Sequence, residues 1–339
     1  MNQSAETSYA NLEAEILRLS RQDQSGGLSP WFADTLHQQI ETGIYSPPAV
    51  LEQDMGALIG RLVDYRENSG LSKVAIGMSG GVDSALTAAL FKEAGWQVFG
   101  YTMPILQDPS ETERGVQACR QMSIEHAQID LTAQYQSMVA ALEAVDPTLR
   151  DATSKAARVR NGNIRARLRM ITLYNQAHSL GGLVASTDNF SELSAGFWTI
   201  NGDVGDLAPI QSLLKSWEVP WMARVIGIPD SIWKAKPTDG LGIDDGDEAQ
   251  IGATYLQWDI TVQALMGLFS QGQGGVDRNT ISALSAENDP AAHPILKTVE
   301  TRLRATRFKR SGPQMLPHPR EPRFELLSQV DRARLTRVG

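Results

Sequence analysis

Five apolar residues, Val74-Ala75-Ile76-Gly77-Met78, run straight into Ser79-Gly80-Gly81-Val82-Asp83-Ser84, and a helical stretch opens there and is stopped by Gly95. An apolar run of this length reads as a buried strand. Two adjacent glycines let the chain turn sharply and bring backbone N–H groups close to an anion. The free N–H groups of the helix start, with the helix dipole, favour negative charge at the same place. Ser79 and Ser84 add hydroxyl donors. Asp83 suits such a site only if it holds a cation such as magnesium, which takes one or two carboxylates together with phosphate oxygens. The unit is expected to be a phosphate site at a strand end. It is neither the Walker loop, Gly-x-x-x-x-Gly-Lys-Ser/Thr, nor the dinucleotide fingerprint Gly-x-Gly-x-x-Gly.

The same alternation continues along the chain. The pattern predicts a strand over 97–103, a helix over 111–122, a strand over 126–131, a long helix over 156–180 and a strand over 183–186. Alternating strands and helices imply an α/β fold, a doubly wound parallel sheet with flanking helices, whose ligands sit at the carboxyl ends of the strands. Upstream, Leu51, Met55, Leu58, Ile59, Leu62 and Val63 recur at helical spacing before Gly70. Residues 1–46 have weak periodicity and read as an appendage, partly helical or mobile. Downstream, 210–226 reads as helical, with Pro220 kinking it or lying in its first turn. A mobile loop is expected over 234–250, and a helix over 294–304. The resulting division is 1–46, a catalytic domain over 47–270, and a connector, helix and tail over 271–339 that belong with it.

The net charge of −8 over 339 residues argues against a polynucleotide partner, which needs a basic surface. Arg158, Arg160, Arg165, Arg167 and Arg169 nevertheless crowd together, which suits a small anionic substrate. No apolar run reaches the roughly 18 residues of a membrane span. Met1–Ala10 carries no signal pattern, so a cytoplasmic protein is expected. The single cysteine, Cys119, excludes an internal disulfide and reads as a packed thiol.

Ser79–Ser84 resembles the Ser-Gly-Gly-x-Asp-Ser loop of the PP-loop ATP pyrophosphatases, the adenine-nucleotide alpha-hydrolase-like enzymes, in which the loop holds the pyrophosphate of ATP. The blocks downstream narrow the resemblance. Gly162-Asn163-Ile164-Arg165-Ala166-Arg167-Leu168-Arg169-Met170 is similar to the Gly-Asn-x-x-Ala-Arg-x-Arg-Met helix of NAD synthetases. Ser186-Thr187-Asp188-Asn189-Phe190-Ser191-Glu192 and Gly196-Phe197-Trp198-Thr199 with Gly202-Asp203 resemble their next two blocks. Asp206 to Pro209, Lys215, Gly227-Ile228-Pro229, Lys236-Pro237-Thr238, Asp247-Glu248 with Gly252 and Tyr255, and Phe308-Lys309-Arg310 continue the series in order.

The resemblance implies amidation of the nicotinate carboxylate of deamido-NAD through an adenylated intermediate. By carry-over, ATP and its pyrophosphate are held by Ser79, Gly80, Gly81, Val82, Asp83, Ser84, Arg165, Thr187, Lys215 and Thr238, and magnesium by Asp83 and Glu192. Asn163, Arg167, Phe197, Asp203, Lys309 and Arg310 face deamido-NAD, with Arg169 an alternative anion contact. Asp203 is the candidate for receiving ammonia, with Asp206 and Lys215 completing the catalytic set. Two departures bracket this region. Gly202-Asp203-Val204-Gly205-Asp206 is one residue shorter than the family's Gly-Asp-Gly-Gly-x-Asp, and one extra residue separates Lys215 from Gly227.

Glutaminase domains need a nucleophilic cysteine, and Cys119 lies inside the α/β pattern, so the nitrogen source is expected to be ammonia, free or from a separate supplier. The family implies a homodimer with the substrate at its interface. Three rivals stand beside this reading: a same-fold ligase acting on nicotinate mononucleotide or another carboxylate, a non-catalytic ATP-binding regulatory subunit, and a tRNA-modifying PP-loop enzyme. The acidic charge and the absence of thiolation cysteines weigh against the last.

Overall fold

The computed structural model describes residues 3–19, 28–237, 246–270 and 289–312. Three helices, α1 (Gln3–Leu19), α2 (Pro30–Glu41) and α3 (Pro48–Ser69), precede β1 (Lys73–Gly77). Then come α4 (Val82–Glu93), β2 (Gln97–Thr102), α5 (Pro109–Gln121), β3 (Glu125–Gln128), α6 (Thr132–Glu143), α7 (Lys155–Leu180) and β4 (Leu183–Val184). The strands form a parallel sheet in the order β3-β2-β1-β4, with Val74 opposite both Val98 and Leu183. The chain moves outward from β1 to β2 and β3, then returns to place β4 on the other side. The order therefore reverses beside β1, and a crevice opens at its carboxyl end. The expected doubly wound sheet is the one observed.

Both faces of the sheet are covered. Helix α4 is buried from Ser84 to Phe91, because α3 on one side and α9 (Glu218–Val225) on the other enclose it. On the opposite face, Met170, Leu173 and Ala177 of α7 pack with Ala75, Tyr101, Met103 and Val184. Helix α7 starts at Ser154, whose hydroxyl caps the Ala157 N–H, and stops at Gly181, which takes the left-handed conformation at φ 66°.

The first 46 residues join this core where they are described. Leu12 and Ile16 of α1, Phe32 and Leu36 of α2, and Tyr45 are all buried in the main cluster. Glu15 pairs with Lys234 at 2.6 Å, and the Ser46 carbonyl accepts from the Trp217 indole at 3.0 Å.

The stretch 210–226, read from sequence as one helix, is helical only over α9. Pro220 is the third residue of α9, where its missing N–H costs nothing, so the helix starts just ahead of it. The preceding 213–217 is left as turns, and these carry Lys215. Helix α10 (Asp230–Trp233) ends just ahead of the segment expected to be a mobile loop, 234–250, and α11 (Asp247–Ile251) starts inside it; 238–245 is outside the described residues. The connector at 271–275 is outside them as well.

Helix α12 (Tyr255–Ser270) carries no signal in the sequence. It is buried on all sides from Tyr255 to Val262, so it shows no apolar stripe to read. Helices α13 (His293–Ala305) and α14 (Arg307–Arg310) pack behind the site. The sulfhydryl of Cys119 is buried against Gly100, where a Cβ would lie 2.7 Å from Sγ, and burial pushes its acidity constant to about 11. It is a packed thiol.

Glu218, in the first turn of α9, accepts from the Leu214 N–H. Burial pushes its carboxyl from 4.5 to about 7, against that hydrogen bond and with help from the charges of Asp259 and Asp54. The folded state therefore holds this proton more tightly than the unfolded chain. The stability this contributes is present below pH 4.5 and is lost as pH rises through about 7. Glu218→Gln removes the titration. Its melting temperature relative to wild type is expected to rise between pH 5 and pH 8, and a pH-independent difference in thermal melts would contradict this.

Candidate active site

The glycine loop sits at the carboxyl end of β1, at the reversal point. Gly80 has φ 87°, and a Cβ there would lie 2.2 Å from the Glu111 carbonyl oxygen of α5, so only glycine fits. Gly81 precedes the first turn of α4, and the Ser79 hydroxyl accepts from the Gly81 N–H at 3.3 Å. Ser84 turns inward, 3.1 Å from Ser79 Oγ and 3.1 Å from the Gly81 carbonyl, so its hydroxyl braces the loop from below. Above the loop lies a cavity of about 250 Å³, lined by Ser79 to Asp83, Thr187, Glu192, Phe197, Asp203 and Lys215, among others.

Three charges from three segments meet at one side of this cavity. Lys215 Nζ contacts the Asp83 carboxylate and lies 3.9 Å from Glu192 Oε1. Asp83 also accepts from Asn189 Nδ2 at 3.1 Å. Asn189 caps α8 (Phe190–Ala195) in a reciprocal box with Glu192, so the residue that orients Asp83 also fixes the start of the helix carrying Glu192. Burial and the charge of Asp83 hold the Glu192 carboxyl well above the ordinary range, against the pull of Lys215. Burial alone would lower the Lys215 ammonium, but Asp83 and Glu192 outweigh it and push it to about 12. Tyr255 closes the cluster, donating to Asp247 at 3.1 Å and lying 3.4 Å from Glu192.

A second acidic group faces the other side. Burial raises the Asp203 carboxyl, opposed by the Thr199 N–H it accepts and by Arg169 and Lys309. Thr199 also donates its hydroxyl to Asn163 at 2.7 Å. Asp188 is buried beside it, and burial, followed by the charge of Asp203, pushes it to about 7, although Ser186 donates to it at 2.8 Å.

Other residues named from sequence stand farther back. Asp206 lies outside the cavity wall, accepting from Tyr174 and from the Val184 N–H, each at 2.9 Å, and so ties the 202–206 turn to β4. The Arg165 guanidinium lies 4.8 Å from the Tyr135 ring, and Arg167 donates to the Ile200 carbonyl at 3.2 Å. Lys309 donates to the carbonyls of Gly196 and Trp198, and Arg310 to that of Ser194 at 2.7 Å, so both clamp the loop that presents Phe197. Thr238 is outside the described residues.

The cavity wall also includes residues that the sequence did not single out as site residues, Arg114, Asp188 and Asp247 among them. Arg114 lies on α5 and donates to the Gly80 carbonyl at 3.3 Å, which places a cation against the glycine loop. It is 34 residues from Gly80, and no local pattern joins the two.

A family model described as NAD synthase matches residues 55–313. The chain belongs to that family. The NH(3)-dependent NAD(+) synthetase of Methanosarcina mazei is 31% identical over 273 residues, covering 78% of this chain and 97% of that protein. The protein of the same name from Alkaliphilus oremlandii is 32% identical over 60% of this chain and 82% of its own length. Among solved structures, an NMN synthetase from Francisella tularensis superimposes with a TM-score of 0.63 at 25% identity, over 79% of this chain and 99% of that one. An NH3-dependent NAD synthetase from Campylobacter jejuni gives 0.58 at 26%, over 78% and 99%.

As in that family, ATP is the co-substrate, and the glycine loop is where its phosphates are expected. Gly80→Ala adds a Cβ against the Glu111 backbone at positive φ, a strain of about 1–3 kcal/mol. It is expected to weaken ATP binding by roughly tenfold or more, read by calorimetric titration, with the fold retained by circular dichroism. Arg114→Ala is expected to weaken ATP about tenfold, the scale of one charge-assisted hydrogen bond. Unchanged ATP affinity in that variant would remove Arg114 from the phosphate site.

Proposed function

We propose that this ligase amidates the nicotinate carboxylate of deamido-NAD with ammonia, at the expense of ATP. The observation that carries the reading is the cluster Asp83–Lys215–Glu192 at the mouth of the glycine loop, with Asp203 across the same cavity. In the first step a carboxylate oxygen attacks the α-phosphorus of ATP, and the bond to the bridging oxygen breaks. Pyrophosphate leaves with the electron pair. The loop N–H groups, Lys215 and Arg114 bear on the charge that develops there, and they are in place beforehand. In the second step ammonia attacks the activated carbonyl carbon, AMP leaves, and one proton must depart from nitrogen. In this reading Asp203 takes it, since burial raises its basicity above that of a free carboxylate. Thr199 fixes its orientation.

Asp83 and Glu192 fit magnesium. They are two hard carboxylates, nearly buried, converging on one cationic group, which is the number this ion takes from protein when phosphates supply the rest. Once bound, the ion supplies charge neutralisation for the departing pyrophosphate.

Free ammonia, or ammonia from a separate supplier, is the nitrogen source in this reading. The protein acts as a cytoplasmic homodimer, the exposed Ile171 and Tyr174 of α7 being apolar side chains that a second copy could cover. No helix among the described residues is long and apolar enough to cross a membrane.

The likeness to the Francisella enzyme keeps nicotinate mononucleotide as the competing substrate. One assay separates the two: purified protein with ATP, magnesium, ammonium and either deamido-NAD or nicotinate mononucleotide, with AMP and the amidated product quantified. Turnover of deamido-NAD at the higher kcat/KM is expected. Turnover of the mononucleotide alone, or of neither, would refute the proposal. Asp203→Asn is expected to spare pyrophosphate release in a single turnover while slowing amide formation about a hundredfold or more. Normal amidation at limiting ammonium would refute its role.

A further inference from the structure

Asp259 lies in the second turn of α12 with 1% of its surface exposed, among buried apolar residues. A charge-bearing group so placed is costly unless hydrogen bonds satisfy it, and an apolar residue of the same volume would often serve the core better. Its partners are specific. Ser191 donates its hydroxyl to Oδ1 at 2.5 Å, and Ser216 donates both its N–H at 3.1 Å and its hydroxyl at 2.6 Å to Oδ2. Ser191 adjoins Glu192, and Ser216 adjoins Lys215. The two halves are also joined directly, since the Lys215 N–H donates to the Ser191 hydroxyl at 2.9 Å.

The turn 213–217 is anchored at its start, where the Phe190 N–H of α8 donates to the Leu213 carbonyl at 2.9 Å and the Leu214 N–H donates to Glu218. At Lys215 and Ser216 the backbone N–H groups are taken by the Ser191 hydroxyl and by Asp259, so the direction of Lys215 depends on these contacts. General adhesion between α12 and α8 is provided elsewhere, by the Trp258 indole donating to Ser194 at 2.7 Å. What Asp259 adds is registration of the Lys215 turn against α8.

We propose that Asp259 is a positioning residue for the reaction: by gripping Ser191 and Ser216 it aligns Lys215 and Glu192 so that both meet Asp83 at the phosphates. The proposal rests on the amidation of deamido-NAD proposed for this site, and the experiment separates the two. Asp259→Asn, Ser191→Ala and the control Trp258→Phe are compared with wild type in melting temperature, ATP affinity, and kcat and KM for deamido-NAD. Asp259→Asn is expected to lower kcat by roughly ten- to a hundredfold, the scale of misplacing a reacting group by about an ångström. ATP binding should weaken with it, while KM for deamido-NAD changes little. Ser191→Ala should follow in part, and the double variant should be no worse than Asp259→Asn, as for residues acting through one another. Trp258→Phe should lower the melting temperature and leave kcat alone.

An Asp259→Asn protein with wild-type kcat and ATP affinity, or one that loses only melting temperature as the control does, overturns the proposal. Should Asp259→Asn fail to fold, Ser191→Ala and Ser216→Ala decide: reduced kcat in either supports the link, wild-type kcat in both refutes it. If wild type itself does not amidate deamido-NAD, the functional reading fails. ATP affinity then judges Asp259, weakened in the variants if the link holds and unchanged if it does not.

Discussion

The ammonium of Lys215, 7% exposed, contacts a carboxylate that lies 132 residues away in sequence and sits 3.9 Å from a second. Charges taken out of water hold their place only when they are paired and hydrogen-bonded. Lys215 therefore requires Asp83 and Glu192, and they require it. This fixes α4, α8 and the 213–217 turn relative to one another at the end of β1. The same arrangement makes the site responsive. Phosphates entering above the glycine loop bring negative charge next to two carboxylates, which is tolerable only with further positive charge. In the proposed reading a divalent cation would enter with the nucleotide and supply that charge.

The parts of this site that are local in sequence were legible. A strand, two glycines and a helix start define the phosphate loop within a few residues, because the constraint at Gly80 is one of backbone conformation and close approach. The alternation through 183–186 marks the sheet for the same reason. What escaped was non-local or lacked a period. Helix α12 is buried all round, so no amphipathic stripe marks it. Arg114 gains its place only through contact of α5 with the loop. The Lys215 turn looked helical because Leu213, Leu214 and Trp217 are spaced like a helix face, and tertiary hydrogen bonds through Ser191 and Asp259 overrode that preference.

The first 46 residues also escaped. Their periodicity is weak because few positions carry the packing, yet those few are large. Tyr45 meets Trp217 edge to face at 5.4 Å, and Trp217 donates to the Ser46 carbonyl. Trp217 is two residues from Lys215. The segment is thus one wall behind the Lys215 turn, and α12 is another, with Gln39 of α2 donating to the Ile260 carbonyl at 2.8 Å to join the two walls. The turn is held from both sides.

The cavity divides into two electrostatic halves. On one side, Lys215, whose affinity for its proton is pushed up, contacts Asp83 and lies 3.9 Å from Glu192, whose carboxyl is itself raised by burial and by Asp83. On the other, burial raises Asp203 and Asp188, and the charge of Asp203 adds to the rise at Asp188. The half that holds Lys215 suits phosphoryl chemistry, which needs positioned charge. The half that holds Asp203 and Asp188, both with raised carboxyls, suits amide formation, which must remove a proton from nitrogen.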